Sequence, residues 1–220
     1  MKFLWKISRL VTVLISIIGI YGFGHALFQV GKNLLNHSEA LIVFLAGGII
    51  FSVLWFTYFS KKGNFWSTLE HELTHALFAL FFLKQVHSIS ASRKKGGLIR
   101  IEGGNALIAL SPYFFPLACI PVLLLKVFLP MRFQIYMNFL LGFTYFFHLV
   151  NLFKEVHFEQ SDIKSTGYIF SITLILFLNI FFLGIILAVL LNNGNTIIQF
   201  IQSGLMESAH FLGNLGLRLG

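Results

Sequence analysis

The chain has 220 residues, of which 57% are hydrophobic and 11% charged, with 27 phenylalanines and a formal net charge of +8. An ordinary globular domain is about a quarter charged, and one of this size still turns a large area towards water. The composition therefore excludes a water-soluble domain, a disordered chain and a coiled coil, and the single Cys119 excludes an intrachain disulfide. Most basic residues lie between apolar runs, where they meet lipid headgroups rather than nucleic acid.

A helix needs about 20 apolar residues to cross a bilayer. Runs of that kind predict an all-α polytopic membrane protein with about six transmembrane helices: Leu10 to Val30, Leu41 to Phe59, Phe65 to Leu83, Asn105 to Leu129, Phe133 to Phe153 and Tyr168 to Leu191. Lys2, Lys6 and Arg9 before the first run give it the outline of a signal peptide. With further spans downstream it reads as an uncleaved first helix. The basic residues divide evenly between the two sides of a six-span map, so they do not orient the chain.

Between the third and fourth runs, Val86 to Gly104 is polar and alternates in Val86-His87-Ser88-Ile89-Ser90 and in Leu98-Ile99-Arg100-Ile101. A Lys-Lys-Gly-Gly turn separates the halves, which predicts a short β-hairpin beside the membrane. Pro112, Pro116, Pro121 and Pro130 all fall in or at the end of the fourth run, which predicts a kinked or broken helix. From Asn192 the chain is too weakly apolar to span, and Ile197, Ile201, Leu205 and Leu212 recur near helical spacing. That pattern predicts a C-terminal amphipathic helix lying in the interface. No second domain boundary stands out, so residues 1–220 read as a single integral membrane domain.

His71-Glu72-Leu73-Thr74-His75 forms an H-E-x-x-H motif in the third run. Residues four apart share a helix face, so both imidazoles can reach one ion. Glu72 is placed to take a proton from an attacking water and to return it to the leaving amine, chemistry that zinc assists by acidifying water. Ionisable residues in an apolar span are costly unless they are paired or bind a metal. A catalytic zinc usually has three protein ligands. The candidates for the third are Asp162, the one aspartate of the chain, with His148, Glu155, His157 and Glu159.

An HELTHAL motif early in an apolar helix, a polar β-like stretch, a proline-rich span and a Gln160-Ser161-Asp162-Ile163 segment before a late span resemble the site-2-protease superfamily of intramembrane zinc metallopeptidases. The likeness is closest to its compact bacterial branch without PDZ domains, and it covers Phe65 to Leu191. The resemblance implies Zn2+ held by His71, His75 and Asp162, with Glu72 as the catalytic base. It implies transmembrane helices of other proteins as substrates and a bacterial plasma-membrane location. It divides the chain into two accessory helices over 1–64, a metalloprotease core over 65–191 and a tail over 192–220. Ser161-Asp162-Ile163-Lys164 stands where larger members have Leu-Asp-Gly, and Ser111-Pro112 where they have Gly-Pro. Asn105 and Asn151 are candidates for stabilising an oxyanion. His25 in the first run reads as a packing residue, and His148 with Asn151 shares a face of the fifth helix. The rival readings are a metalloprotease with Glu155 or Glu159 as third ligand, a non-catalytic metal-binding scaffold that holds partner membrane proteins, and a transporter.

Overall fold

The computed structural model describes residues 2–60, 65–92, 96–157 and 159–219. These form helices α1 (Lys2–Leu35), α2 (Ser38–Leu54), α3 (Phe65–Phe81), α4 (Ala106–Leu110), α5 (Cys119–Phe128), α6 (Gln134–Glu155), α7 (Ser161–Thr166), α8 (Tyr168–Leu190) and α9 (Gly194–Leu219). Strands β1 (Val86–Ser92) and β2 (Gly96–Ile101) follow α3. Among the described residues four helical stretches are long and apolar enough to cross a membrane: Trp5–Leu35, Ser38–Phe59, Met131–Glu155 and Tyr168–Leu190. The chain is thus an all-α membrane protein with one small two-stranded hairpin. It divides into two compact units, Met1–Ile42 with Gly167–Gly220, and Val43–Thr166.

In the first unit α8 and α9 pack on α1. Phe23 is buried against the rings of Phe177, Phe181 and Phe200, with centroids 5.8, 5.4 and 5.5 Å away. Gly22 lies directly on the Gly204 carbonyl and on Ser208, so α1 and α9 approach closely where Gly22 has no side chain. The tail is helical, as its periodicity predicts, but it is not a solitary helix in the interface. It runs antiparallel along α1: Ser203 Oγ donates to Gln29 Oε1 at 3.2 Å, Glu207 faces His25 at 3.3 Å and Phe211 stacks on Tyr21 at 4.5 Å. The polar groups His25 and Gln29 on α1 supply what the polar side of α9 needs, and sequence distance hides that pairing.

In the second unit the expected hairpin forms, and its antiparallel register sets Ser88 opposite Arg100, Ile89 opposite Ile99 and Ser90 opposite Leu98. Residues 93–95 of its turn lie outside the described residues. Both strands pack on α3. The proline-rich run is broken as expected: α4 passes into a 3-10 turn at Ser111–Tyr113, and turns over 114–118 precede α5. α5 and α6 are antiparallel neighbours. At the end where the chain joins them, the buried Lys126 amine donates to Gln134 Oε1 at 2.7 Å and Asn138 Oδ1 at 2.8 Å.

The count of six crossings does not fit this unit. Phe44 of α2 lies against Tyr145 and Phe146, Phe51 against Phe143 and Phe147, and Trp55 beneath Lys154, so α2 and α6 run in the same sense. An odd number of crossings must then separate them, whereas the six-span map places two there. α5, antiparallel to α6, is the returning element. α3 has 17 residues and is about 25 Å long at 1.5 Å per residue, short of the hydrocarbon core. Ser67 in its first turn donates to Glu155, the last residue of α6, at 2.8 Å. The start of α3 and the end of α6 therefore lie on one side, which a crossing α3 would forbid.

Candidate metal centre

His71 and His75 fall one turn apart on α3, and both imidazoles point to one spot because each is held from behind. His71 Nδ1 donates to Glu155 Oε2 at 2.7 Å, and Ser67 Oγ holds the other oxygen of that carboxylate at 2.8 Å. His75 Nδ1 donates to the backbone carbonyl of Ile108 in α4 at 2.8 Å. Both Nδ1 partners are pure acceptors, so the proton sits on Nδ1 and the Nε2 lone pairs face inward. The two Nε2 atoms are 3.1 Å apart, and Asp162 Oδ2 of α7 lies 3.8 Å from each.

Three acceptors facing one another at such distances repel unless a proton or a metal cation lies among them. A tetrahedral ion with bonds of about 2.1 Å sets its ligand atoms about 3.4 Å apart, and the three observed separations bracket that value. Among the described residues His71, His75 and Asp162 form one group of ligand atoms within 4.8 Å of one another. The donor set suits a divalent metal that takes nitrogen and oxygen.

Tyr113, fully buried, donates from its hydroxyl to Asp162 Oδ2 at 3.0 Å. Burial pushes the Asp162 carboxyl up, but in the metal-free protein a protonated His71 in contact with it, the charge His75 carries when protonated and the Tyr113 hydroxyl outweigh that and hold it below the usual carboxylate range, and a bound cation would take the place of those protons. Asp162 is therefore a ready anionic ligand at neutral pH.

Glu72 is buried beneath the hairpin, where Gly97 of β2 lies directly on its carboxylate and leaves no room for a Cβ. Glu70 points elsewhere: Asn151 Nδ2 donates to its Oε2 at 3.1 Å and the Ala118 amide to its Oε1 at 3.3 Å. Glu70 thus ties α3 to α6 and to the turn before α5. Beside His75 opens a cleft of about 300 Å³ that His75, Asp162, Asn105, Ile99, Ile101 and Ile108 help to line.

Of the residues singled out from the sequence, His71, His75 and Asp162 come together, and Glu72 is buried beside them. Glu155 is at the centre but on the far side of His71, as its hydrogen-bond partner. Glu159 is exposed and pairs with Lys164 at 3.6 Å, His157 is exposed, and His148 is buried beside Tyr145. Asn105 lines the cleft. Asn151 does not: one N–H of its amide donates to Glu70, and its buried Oδ1 has no hydrogen-bond partner. The sequence reading missed Ser67, the Ile108 carbonyl and Tyr113. A backbone carbonyl leaves no trace in a sequence, whereas Tyr113, next to Pro112 in the broken span, was within reach of the argument. No protein-family model, curated protein or solved structure matches this chain.

Proposed function

We propose that the chain is a zinc-dependent intramembrane metalloprotease of the site-2-protease kind, hydrolysing peptide bonds in membrane-embedded or membrane-adjacent segments of other proteins. The observation that carries the reading is the convergence of both motif imidazoles and Asp162 on one point, each imidazole aimed by an acceptor at Nδ1. A bound zinc supplies a Lewis acid that polarises a carbonyl and acidifies water. His71, His75 and Asp162 would hold it, Glu155 and Ile108 keeping the two rings in the productive tautomer.

Glu72 performs the proton transfers. Its carboxylate takes a proton from water as the water oxygen bonds to the scissile carbonyl carbon and the carbonyl π pair moves to oxygen. The same proton passes to the amide nitrogen as the carbonyl re-forms and the C–N bond breaks, giving a carboxylic acid and an amine. Burial under Gly97 shields this carboxyl from bulk solvent. The β2 edge beside the cleft offers an unwound substrate segment main-chain partners by strand addition. On this reading the chain crosses the bilayer five times, through α1, α2, the broken α4–α5 run, α6 and α8, and α3 with its hairpin stays on the side where α6 ends.

Protein purified in detergent, assayed for bound zinc and for cleavage of a transmembrane-segment peptide, tests the reading. Wild type is expected to hold about one zinc per chain, His75→Ala and Asp162→Ala none. Glu72→Gln is expected to keep the zinc and lose cleavage by on the order of 10²–10⁴-fold. A Glu72→Gln variant as active as wild type sinks the mechanism. Zinc bound with no cleavage of any membrane segment leaves a non-catalytic metal-binding scaffold.

A further inference from the structure

Asn105, an exposed residue that caps α4, is one of the residues lining the cleft with His75 and Asp162. Its Oδ1 accepts the Ile108 N–H at 2.9 Å, capping α4, and the carbonyl of that same Ile108 accepts the His75 Nδ1–H at 2.8 Å. A backbone N–H needs an acceptor, so this bond fixes which way the amide faces: oxygen towards α4, and the two N–H bonds of Nδ2 away from it. The side chain lines the cleft together with His75 and Asp162. Ile108 thus links the Asn105 side chain to a candidate metal ligand through its own N–H and carbonyl.

The cleft also says what faces that donor. An α-helix with its side chains is about 10–12 Å across, so about 300 Å³ would hold only some 3 Å of its length. An extended chain, with about 4.8 Å between strands and 10 Å between packed layers, would place about two residues in the same space. Two extended residues present a peptide carbonyl to the donor and a side chain to Ile99, Ile101 and Ile108.

We propose that Asn105 donates from Nδ2 to the scissile carbonyl oxygen and stabilises the negative charge that develops there. The proposal rests on the peptidase reading of the site. It assigns a substrate contact to a residue outside the H-E-x-x-H motif and sets Asn105, which lines the cleft, apart from Asn151, which is tied to Glu70.

Replacement by serine or aspartate tests it, since both can still cap a helix through oxygen but neither offers an amide N–H there. Asn105→Ser and Asn105→Asp are compared with wild type in the full-length protein for zinc content, thermal midpoint, kcat and KM on a transmembrane-segment peptide, and Kd of a phosphinic leucyl-alanine dipeptide. Both variants are expected to keep zinc and thermal midpoint. Their kcat is expected to fall on the order of 10²–10³-fold with KM little changed, and phosphinate binding to weaken more than about tenfold. Asn105→Ala, which also loses the cap, is expected to lower the thermal midpoint as well. Serine and aspartate variants with kcat and phosphinate affinity within about threefold of wild type would reduce Asn105 to a cap and overturn the proposal, while the wild-type cleavage left the peptidase reading standing. If wild type cuts nothing but binds the phosphinate in an Asn105-dependent way, Asn105 is a ligand contact only, and the peptidase reading and the catalytic role fall together. A wild type that neither cuts nor binds overturns both.

Discussion

Glu155 is the residue whose role depends most on which atom it meets. It holds His71 at Nδ1, 2.7 Å away, while the Nε2 side faces His75 and Asp162. A carboxylate in that position orients the ring and raises its basicity, and loss of such a partner typically costs 10–100-fold in metal affinity. Glu155→Gln keeps the shape and loses the charge, so zinc affinity is expected to fall about tenfold, and in Glu155→Ala up to about a hundredfold. Both variants are expected to reach one zinc per chain at saturating metal, as read by competition with a chromophoric chelator. A ligand role for Glu155 would instead abolish the site, as His75→Ala does. Asp162 carries a pH consequence of definite sign. With its carboxyl held below the ordinary value, its contribution to stability is complete above the unfolded-state pKa, about 3.9, and is lost only as pH falls through the lower folded value. The Asp162 carboxyl itself therefore adds no slope to stability between about pH 5 and 8, and metal-free wild type and Asp162→Asn are expected to differ in unfolding slope there only through His71 and His75, whose proton affinity Asp162 raises. The H-E-x-x-H motif was legible in the sequence because spacing alone puts two imidazoles on one helix face. Glu155 was legible only as a candidate ligand: it lies 84 residues from His71, and sequence cannot say which ring nitrogen a distant carboxylate will meet.

At the scale of elements, local pattern carried the hairpin and the broken proline run, while crossing direction escaped it. Alternation and glycine turns are read over a few residues, and so is the clash of proline with a preceding helical turn. Whether α3 crosses depends instead on Ser67 meeting Glu155 and on α2 lying alongside α6, contacts that a hydropathy window does not see. The hairpin lies over α3 so that Gly97 meets the Glu72 carboxylate, and this makes a strand glycine a determinant of the base's position. A Cβ at Gly97 would overlap Glu72 Oε1, Cγ and Cδ, so Gly97→Ala must move the strand or swing the carboxylate. Displacements of about 1 Å in catalytic geometry can cost a hundredfold in rate. Gly97→Ala is expected to keep zinc and lose cleavage by about ten- to a hundredfold, measured beside Leu98→Ala. Leu98 follows on the opposite face of the strand, is 56% exposed, and should be neutral. Full activity in Gly97→Ala would mean that the hairpin does not position the base.

At the scale of the whole molecule, each candidate ligand and each group that aims it belongs to the unit Val43–Thr166, while α1, α8 and α9 build the other. Metal binding and the packing of α1 with α9 are therefore separate properties of one chain, and a variant can disturb one without the other. Gly22 is the sharpest place to try, because any side chain there would run into Gly204 O and the Ser208 hydroxyl. Forcing extra volume into a packed contact typically costs about 1–3 kcal/mol. Gly22→Leu is expected to lower the thermal midpoint of detergent-solubilised protein while its zinc content and zinc Kd match wild type. The stabilisation that added zinc gives the Val43–Thr166 unit depends only on free zinc and Kd, so it should persist undiminished in Gly22→Leu. Thermal melts with and without saturating zinc, followed by probes in each unit, make the comparison. A zinc affinity that fell together with the α1–α9 packing would show that the helices outside Val43–Thr166 shape the metal centre, and the division of labour between the two units would have to be abandoned.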